Sequence, residues 1–309
     1  MKPKVSVIIP THNSSKFINR AIESVLSQTF GDFELIIVDD GSTDDTVSVV
    51  DKYLQRDKRI KLLKLKSNSG GPAKPTNEGM RMATGEFLAF LDHDDWWLAE
   101  KLEEQVNALE KSDGKYSAVV CDIKLKSPGI KTGVEYKFPK DIAGENGLKL
   151  MLCGSFFFNF SILTIKRQVV DDVGFLDEKF TLGADQDYFI RIARKYSFKT
   201  INKPLVWYNF HGGNASISTI PRKETITDLE YLLSKHMDLF INFAHCHHLR
   251  LLRLASALLL SGRAEDARVV LKNSVKIYKM SLKAAVLYLL TFFGSGFYRA
   301  SKLIKSKLF

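Results

Sequence analysis

Short runs rich in β-branched and aliphatic residues, at 5–9, 34–38, 60–65 and 86–91, alternate with stretches whose apolar positions recur at helical spacing. Between the first two runs, Phe17, Ala21, Val25 and Gln28 fall on one stripe, which predicts a helix over 16–28. Asp44 is placed to cap a second helix over 46–54. Strand and helix in strict alternation predict βαβ units around a mainly parallel, Rossmann-like sheet flanked by helices. Further strands are expected at 116–123 and 156–165, and a helix at 185–196. Beyond about residue 220 the strand signal stops. Residues 228–260 and 263–278 read as helices broken at Ser261-Gly262. The expected organisation is an α/β domain over 1–220 and a helical subdomain over 221–309.

In open sheets of this kind a ligand sits outside the carboxyl ends of the strands. Three of those ends carry polar or acidic clusters: Pro10-Thr11-His12-Asn13, Asp39-Asp40-Gly41-Ser42 and Asp92-His93-Asp94-Asp95. A helix cap needs one carboxylate, and the last cluster has three. Carboxylates at i and i+2 leaving an apolar strand can face one cation, so Asp92, Asp94 and Asp95 are expected to hold Mg²⁺ or Mn²⁺ against diphosphate oxygens. No GxGxxG follows the first strand, which argues against a nicotinamide dehydrogenase. Gly70-Gly71-Pro72 is either a turn before a helix or a place where backbone approaches a nucleotide.

Taken together, residues 5–13, 38–44 and 90–95 resemble glycosyltransferase family 2, of GT-A fold, over about residues 4–216. The resemblance implies that Pro10, Thr11, Asp39 and Asp40 line the nucleoside pocket, that Asp92 lies near the ribose, and that Asp94 is the main metal ligand. It also implies an inverting displacement with a base opening a late helix. Asp185 of Gly183-Ala184-Asp185-Gln186-Asp187 falls on that position, with Ala184 where relatives carry Glu. Asp187 either packs within the helix or serves as a second base. His211, in Trp207-Tyr208-Asn209-Phe210-His211-Gly212-Gly213, matches a segment that closes over the donor diphosphate. Thr76 stands where relatives often have an Arg of the nucleobase pocket.

The resemblance therefore implies transfer of a sugar from a nucleoside-diphosphate donor to a glycan or lipid-linked acceptor, in making cell-surface polysaccharide or glycolipid. A nucleotidyltransferase and an inactive nucleotide-binding scaffold are the alternative readings. With 45% hydrophobic and 26% charged residues, disorder is excluded. Cys121, Cys153 and Cys246 are far apart with no CxxC pair, so they are expected as reduced thiols in the cytoplasm. No signal-peptide pattern opens the sequence. His245, Cys246, His247 and His248 lack the spacing of a tetrahedral site, and a partly exposed helical face is expected there.

Charge adds one more feature. The net +10 is concentrated in residues 221–309, which hold 15 Lys and Arg against 6 Asp and Glu. An apolar run over 284–293 is too short to span a bilayer. Flanked by Lys276, Lys279 and Lys283 on one side and Arg299, Lys302, Lys305 and Lys307 on the other, it predicts an interfacial segment. Phe292, Phe293, Phe297 and Tyr298 would enter anionic lipid at the inner face of the cytoplasmic membrane, a core helix being the alternative. No nucleic-acid-binding module accompanies the charge, so nucleic acid is not an expected partner.

Overall fold

The computed structural model describes residues 2–126, 134–211, 221, 223–296 and 298. The chain forms two compact units: residues 1–148, 157–179 and 184–212 make the first, and 149–156, 180–183 and 213–309 the second. In the first unit the opening elements follow the hydrophobic pattern closely. They are β1 (Val5–Thr11), α1 (Ile18–Leu26), β2 (Phe33–Asp39), α2 (Thr46–Leu54), β3 (Ile60–Lys64), α3 (Ala73–Met82) and β4 (Phe87–Phe90). Every residue of β1, β2 and β4 is buried, as expected of parallel strands covered on both faces. Asp44 accepts the Thr46 N–H, so it serves the first turn of α2 from one residue before the boundary.

After β4 come β5 (Trp96–Trp97), α4 (Lys101–Glu110), β6 (Ala118–Lys126), β7 (Val134–Tyr136), β8 (Asp141–Ile142) and α5 (Gly144–Cys153). β9 (Thr164–Lys166), α6 (Arg167–Val173), α7 (Ala184–Ala193) and β10 (Phe198–Asn209) complete the set. The sheet order is β3-β2-β1-β4-β9-β6-β10-β5, with β7 on β6 and β8 on β10. This corrects the expectation of a mainly parallel sheet. β3, β2, β1 and β4 are parallel, but β9 runs antiparallel to both β4 and β6, and β5 antiparallel to β10. β9 is entered directly from a 3₁₀ turn at Phe160–Ile162, which follows α5. A continuous strand over 156–165 is therefore not found. Asn159 interrupts it by accepting the Ser161 N–H with its side chain, which turns the chain.

The second unit contains α8 (Lys223–Lys235), α9 (Met237–Asn242), α10 (Ala244–Leu260), α11 (Ala264–Ile277) and α12 (Leu282–Leu290). The single helix expected over 228–260 is thus three, broken at His236 and Phe243. Gly262, at φ +86°, makes the turn between α10 and α11 that a side chain would strain. The cysteine expectation is also corrected. Cys153 and Cys246 form a disulfide across 93 residues of sequence, and only Cys121 is a free, buried thiol. Spacing could not show this, because it depends on the end of α5 meeting the start of α10. The argument for a reducing compartment goes with it. Of the four residues 245–248 only His245 is exposed; Cys246, His247 and His248 are buried, and His248 bonds Ser274 and Ser281 through its two ring nitrogens. Among the described residues no helix is long and apolar enough to cross a membrane.

Candidate active site

The ends of β1 and β2 are tied into one loop system. The Asp40 N–H donates to the Thr11 carbonyl, and His12 Nδ1 lies 2.9 Å from the Asp40 carbonyl. Asn13, at φ +47°, accepts from the backbone of Thr43 and Asp44. Thr11 and Ser14 share a hydrogen bond, and Pro10 offers its carbonyl to His93 Nδ1. Asp40 is held by the backbone and hydroxyl of Ser69. Asp39 accepts the Ser42 N–H on Oδ2, while its buried Oδ1 has no hydrogen-bond partner among the described residues. Gly41 is required here: at φ +68°, a Cβ would lie 2.7 Å from backbone atoms of Ser67 and Asn68.

After β4 the chain turns through the acidic cluster. Asp95 is 1% exposed and its oxygens are taken: Oδ1 accepts the Asn209 N–H, and Oδ2 accepts from Ser161 and Asn159. Asn159 also donates to Asp92, at 3.1 Å. Asp94 lies 2.9 Å from His211 Nε2, and the His211 ring stacks on Phe17 at 4.5 Å. Among the described residues no three His, Cys, Asp or Glu side chains are grouped to hold a metal. The three-carboxylate ligand set is thus not what the geometry presents, because Asp95 is occupied in joining β4, β10 and the 3₁₀ turn.

The charges are nonetheless crowded. Burial, then the neighbouring charges of Asp95, Asp94 and Asp185, push the Asp92 carboxyl well above the usual range. Burial and Asp94 raise Asp95 to about 7 against the pull of its donors. Asp185 thereby belongs to the same acidic field, in the first turn of α7, with its Oδ1 accepting the Gln186 N–H. Asp187 is fully buried and forms a 2.8 Å ion pair with Arg191, which also reaches the Val173 and Phe175 carbonyls.

The profile of glycosyl transferase family 2 matches residues 6–173. The chain belongs to glycosyltransferase family 2. An uncharacterized glycosyltransferase of Nostoc sp. is 32% identical over 219 residues, covering 70% of this chain and 67% of the relative. A poly(ribitol-phosphate) beta-N-acetylglucosaminyltransferase, TarS of Staphylococcus aureus, is 45% identical over 144 residues, 46% of this chain and 24% of the relative. The chain thus spans about a quarter of that protein, and half of an uncharacterized Haemophilus influenzae glycosyltransferase to which it is 37% identical over 127 residues. In fold, it is similar to TarS residues 1–349 in complex with UDP-GlcNAc (TM-score 0.63, 22% identity, 94% of this chain and 79% of that one). It also resembles the mannosyltransferase of Pyrobaculum calidifontis in complex with GDP-Man and Mn²⁺ (TM-score 0.60, 22% identity, the same coverage).

Two residues of the site are not legible in the sequence. Asn159 and Ser161 lie in what reads as a strand, and only the fold brings them to Asp92 and Asp95. Asn77 carries no motif, yet it fixes the Leu176 backbone through two hydrogen bonds. Thr76 is buried and donates to the Pro72 carbonyl.

Proposed function

We propose that this chain transfers a sugar from a nucleoside-diphosphate donor to a hydroxyl of a glycan or lipid-linked acceptor, with inversion, in surface-glycan synthesis. The observation that carries the reading is the meeting of Asp92, Asp94 and Asp185 in one acidic field beside the β1 and β2 loops. Carboxylates crowded together in a buried place cost stability, and such crowding is typical of functional sites. Pro10, Thr11, Asp39 and Asp40 form the nucleoside end of the site, where the unpartnered Asp39 Oδ1 suits a ribose hydroxyl or a base N–H.

Asp185 takes the proton of the acceptor hydroxyl as its oxygen attacks the anomeric carbon and the bond to the diphosphate breaks. Asp187 holds α7 in place through Arg191. Asp94 and His211, with Asp92 close by, offer oxygen and nitrogen donors that fit Mg²⁺ or Mn²⁺, and the Mn²⁺ complex of the Pyrobaculum relative supports this. Such an ion, when bound, supplies positive charge for the leaving diphosphate. In this reading residues 1–220 form the catalytic domain and 221–309 a helical subdomain.

A membrane role for the second unit has its own support. α12 buries Ala284 and Leu287 but exposes Leu282, Val286 and Leu289, followed by exposed Phe292 and Phe293, next to exposed Lys276, Lys279 and Lys283. This apolar face with a basic border suits peripheral contact with anionic lipid. Tyr298 is removed from that surface: it is buried, and its hydroxyl bonds Ser256. Phe297, Arg299, Lys302, Lys305 and Lys307 lie outside the described residues.

Incubation with a panel of nucleotide sugars and lipid-linked or soluble acceptors, followed by mass spectrometry, tests the activity. An acceptor heavier by one glycosyl unit, with release of nucleoside diphosphate, is expected. Release of pyrophosphate with a nucleotidyl adduct would replace this reading with a nucleotidyltransferase.

A further inference from the structure

One row of side chains in the first unit has no part in the chemistry above. β6, β10 and β5 lie side by side, and in register Lys124 is opposite Trp207, which is opposite Trp96. The two indoles stack at 5.6 Å with their planes 12° apart. Arg20 of α1 lies over Trp96, its guanidinium carbon 3.7 Å from the ring centre. Lys124 Nζ stands 5.5 Å from the Trp207 ring, and Lys126 Nζ 5.2 Å from that of Trp96. All of these side chains retain solvent exposure.

Three features make this row more than a solvated edge. Among the described residues none of Arg20, Lys124 and Lys126 forms a salt bridge, although Asp94 and Asp95 act on Arg20 and Glu135 is opposite Lys124 in register. The Arg20 Nε is buried and has no hydrogen-bond partner among the described residues. The row also starts next to the acidic cluster, since Trp96 follows Asp95 directly. Strand order separates it from the nucleoside end: β2 and β1 are on one side of β4 and β9, and β6, β10 and β5 on the other.

We propose that Arg20, Trp96, Trp207, Lys124 and Lys126 form an acceptor-binding strip for an anionic glycan, a chain whose sugar or polyol units carry phosphate or carboxylate. The assignment to the acceptor rests on the glycosyltransferase reading. The exposed parts of the indole pair offer apolar contact to sugar or polyol units, and the cations bordering them pair with the negative groups. Crossing three strands at about 4.8 Å each, the strip is laid out for a chain and not for a single ring.

Fluorescence anisotropy with labelled octamers tests this on the full chain: a ribitol-phosphate octamer, a hyaluronan octasaccharide and a neutral dextran octasaccharide. At least one anionic octamer is expected to bind about tenfold tighter than dextran, with the gap closing at high salt. The pair Lys124→Gln/Lys126→Gln should weaken anionic binding about fivefold. The pair Lys52→Gln/Lys58→Gln, on exposed lysines of and beyond α2, should leave it within twofold. Two of the three tryptophans lie in the strip, so the anionic octamer should also shift intrinsic emission of the unmodified protein, whatever the fate of the variants. Equal affinity for dextran and both anionic octamers overturns the proposal. So does equal weakening by the two lysine pairs, which would mean attraction to net charge alone. Calorimetry with UDP and GDP in the same buffer separates the two claims. Nucleotide binding without anionic preference removes the strip only, whereas anionic preference without nucleotide binding keeps the strip as a glycan surface and removes the transferase reading.

Discussion

The two ends of the sheet in the first unit treat carboxylates in opposite ways. Near the start of β2, Glu34 is almost fully buried, yet it is surrounded by donors: the Ser6 and Thr84 hydroxyls, the Thr84 N–H and the Lys61 ammonium. Burial alone would raise its carboxyl, but Lys61, Ser6 and Thr84 outweigh burial and hold it at about 2. At the opposite end burial raises both Asp92 and Asp95; the charges of Asp95, Asp94 and Asp185 add to the rise at Asp92, and that of Asp94 to the rise at Asp95. At Glu34 the donors outweigh burial, whereas at Asp95 burial and the Asp94 charge outweigh the donors it has.

The comparison is broken most severely by removing charge from the crowded end. Asp94→Asn should lower kcat by ~10³ or more while the protein remains folded, because several kcal/mol of transition-state stabilisation is lost with the site's interaction with the diphosphate. Addition of chelator to the unmodified protein should reproduce the loss. Undiminished turnover in the mutant or in metal-free buffer would take the cation out of the mechanism.

Asp185→Asn sharpens the comparison within the cluster. Turnover should fall by ~10² or more with donor affinity kept within a few-fold, since the base acts on the acceptor. A parallel collapse of donor affinity in calorimetry would move Asp185 to the donor side of the site.

At the quiet end the expected effect is on stability. A folded-state value below the unfolded one means that Glu34 stabilises the fold above its unfolded pKa near 4.5, and that this is lost as pH falls towards about 2. Glu34→Gln should therefore cost on the order of 2 to 3 kcal/mol at neutral pH and flatten the acid limb of the stability curve between about pH 4.5 and 2. An unchanged acid limb would show that another group governs it.

The smallest effect concerns the second unit. Each basic residue at an anionic surface contributes about 1 kcal/mol, weakened by salt. Co-sedimentation with phosphatidylglycerol vesicles should be strong at low salt, weak at high salt, and reduced by Phe292→Ser/Phe293→Ser. Absence of the intact chain from the vesicle pellet at low salt would leave α12 without a lipid role.

Legibility in the sequence followed the range of the interactions. β1, α1, β2, α2 and β4 are local patterns, and the acidic residues at the strand ends could be picked out because parallel strands place their carboxyl ends together. What could not be read depends on contacts distant in sequence. Asp95 looks like a ligand beside Asp94 until Asn159, Ser161 and Asn209 arrive from 64 to 114 residues away and occupy it. The antiparallel β9 and the Cys153–Cys246 disulfide belong to the same class. Asp185 and Asp187 share one sequence pattern, and the Arg191 ion pair that distinguishes Asp187 is not legible in it.

The most direct test measures melting temperature and turnover together for Asp94→Asn and Glu34→Gln. The account predicts that Asp94→Asn loses turnover while melting within about 2 °C of the unmodified protein or above it. Glu34→Gln should keep most of its turnover and melt roughly 4 to 10 °C lower, the shift that 2 to 3 kcal/mol produces in a domain of this size. The reverse pattern, with Asp94→Asn melting several degrees lower at full activity and Glu34→Gln stable but inactive, would contradict the division of the sheet into a structural and a chemical end.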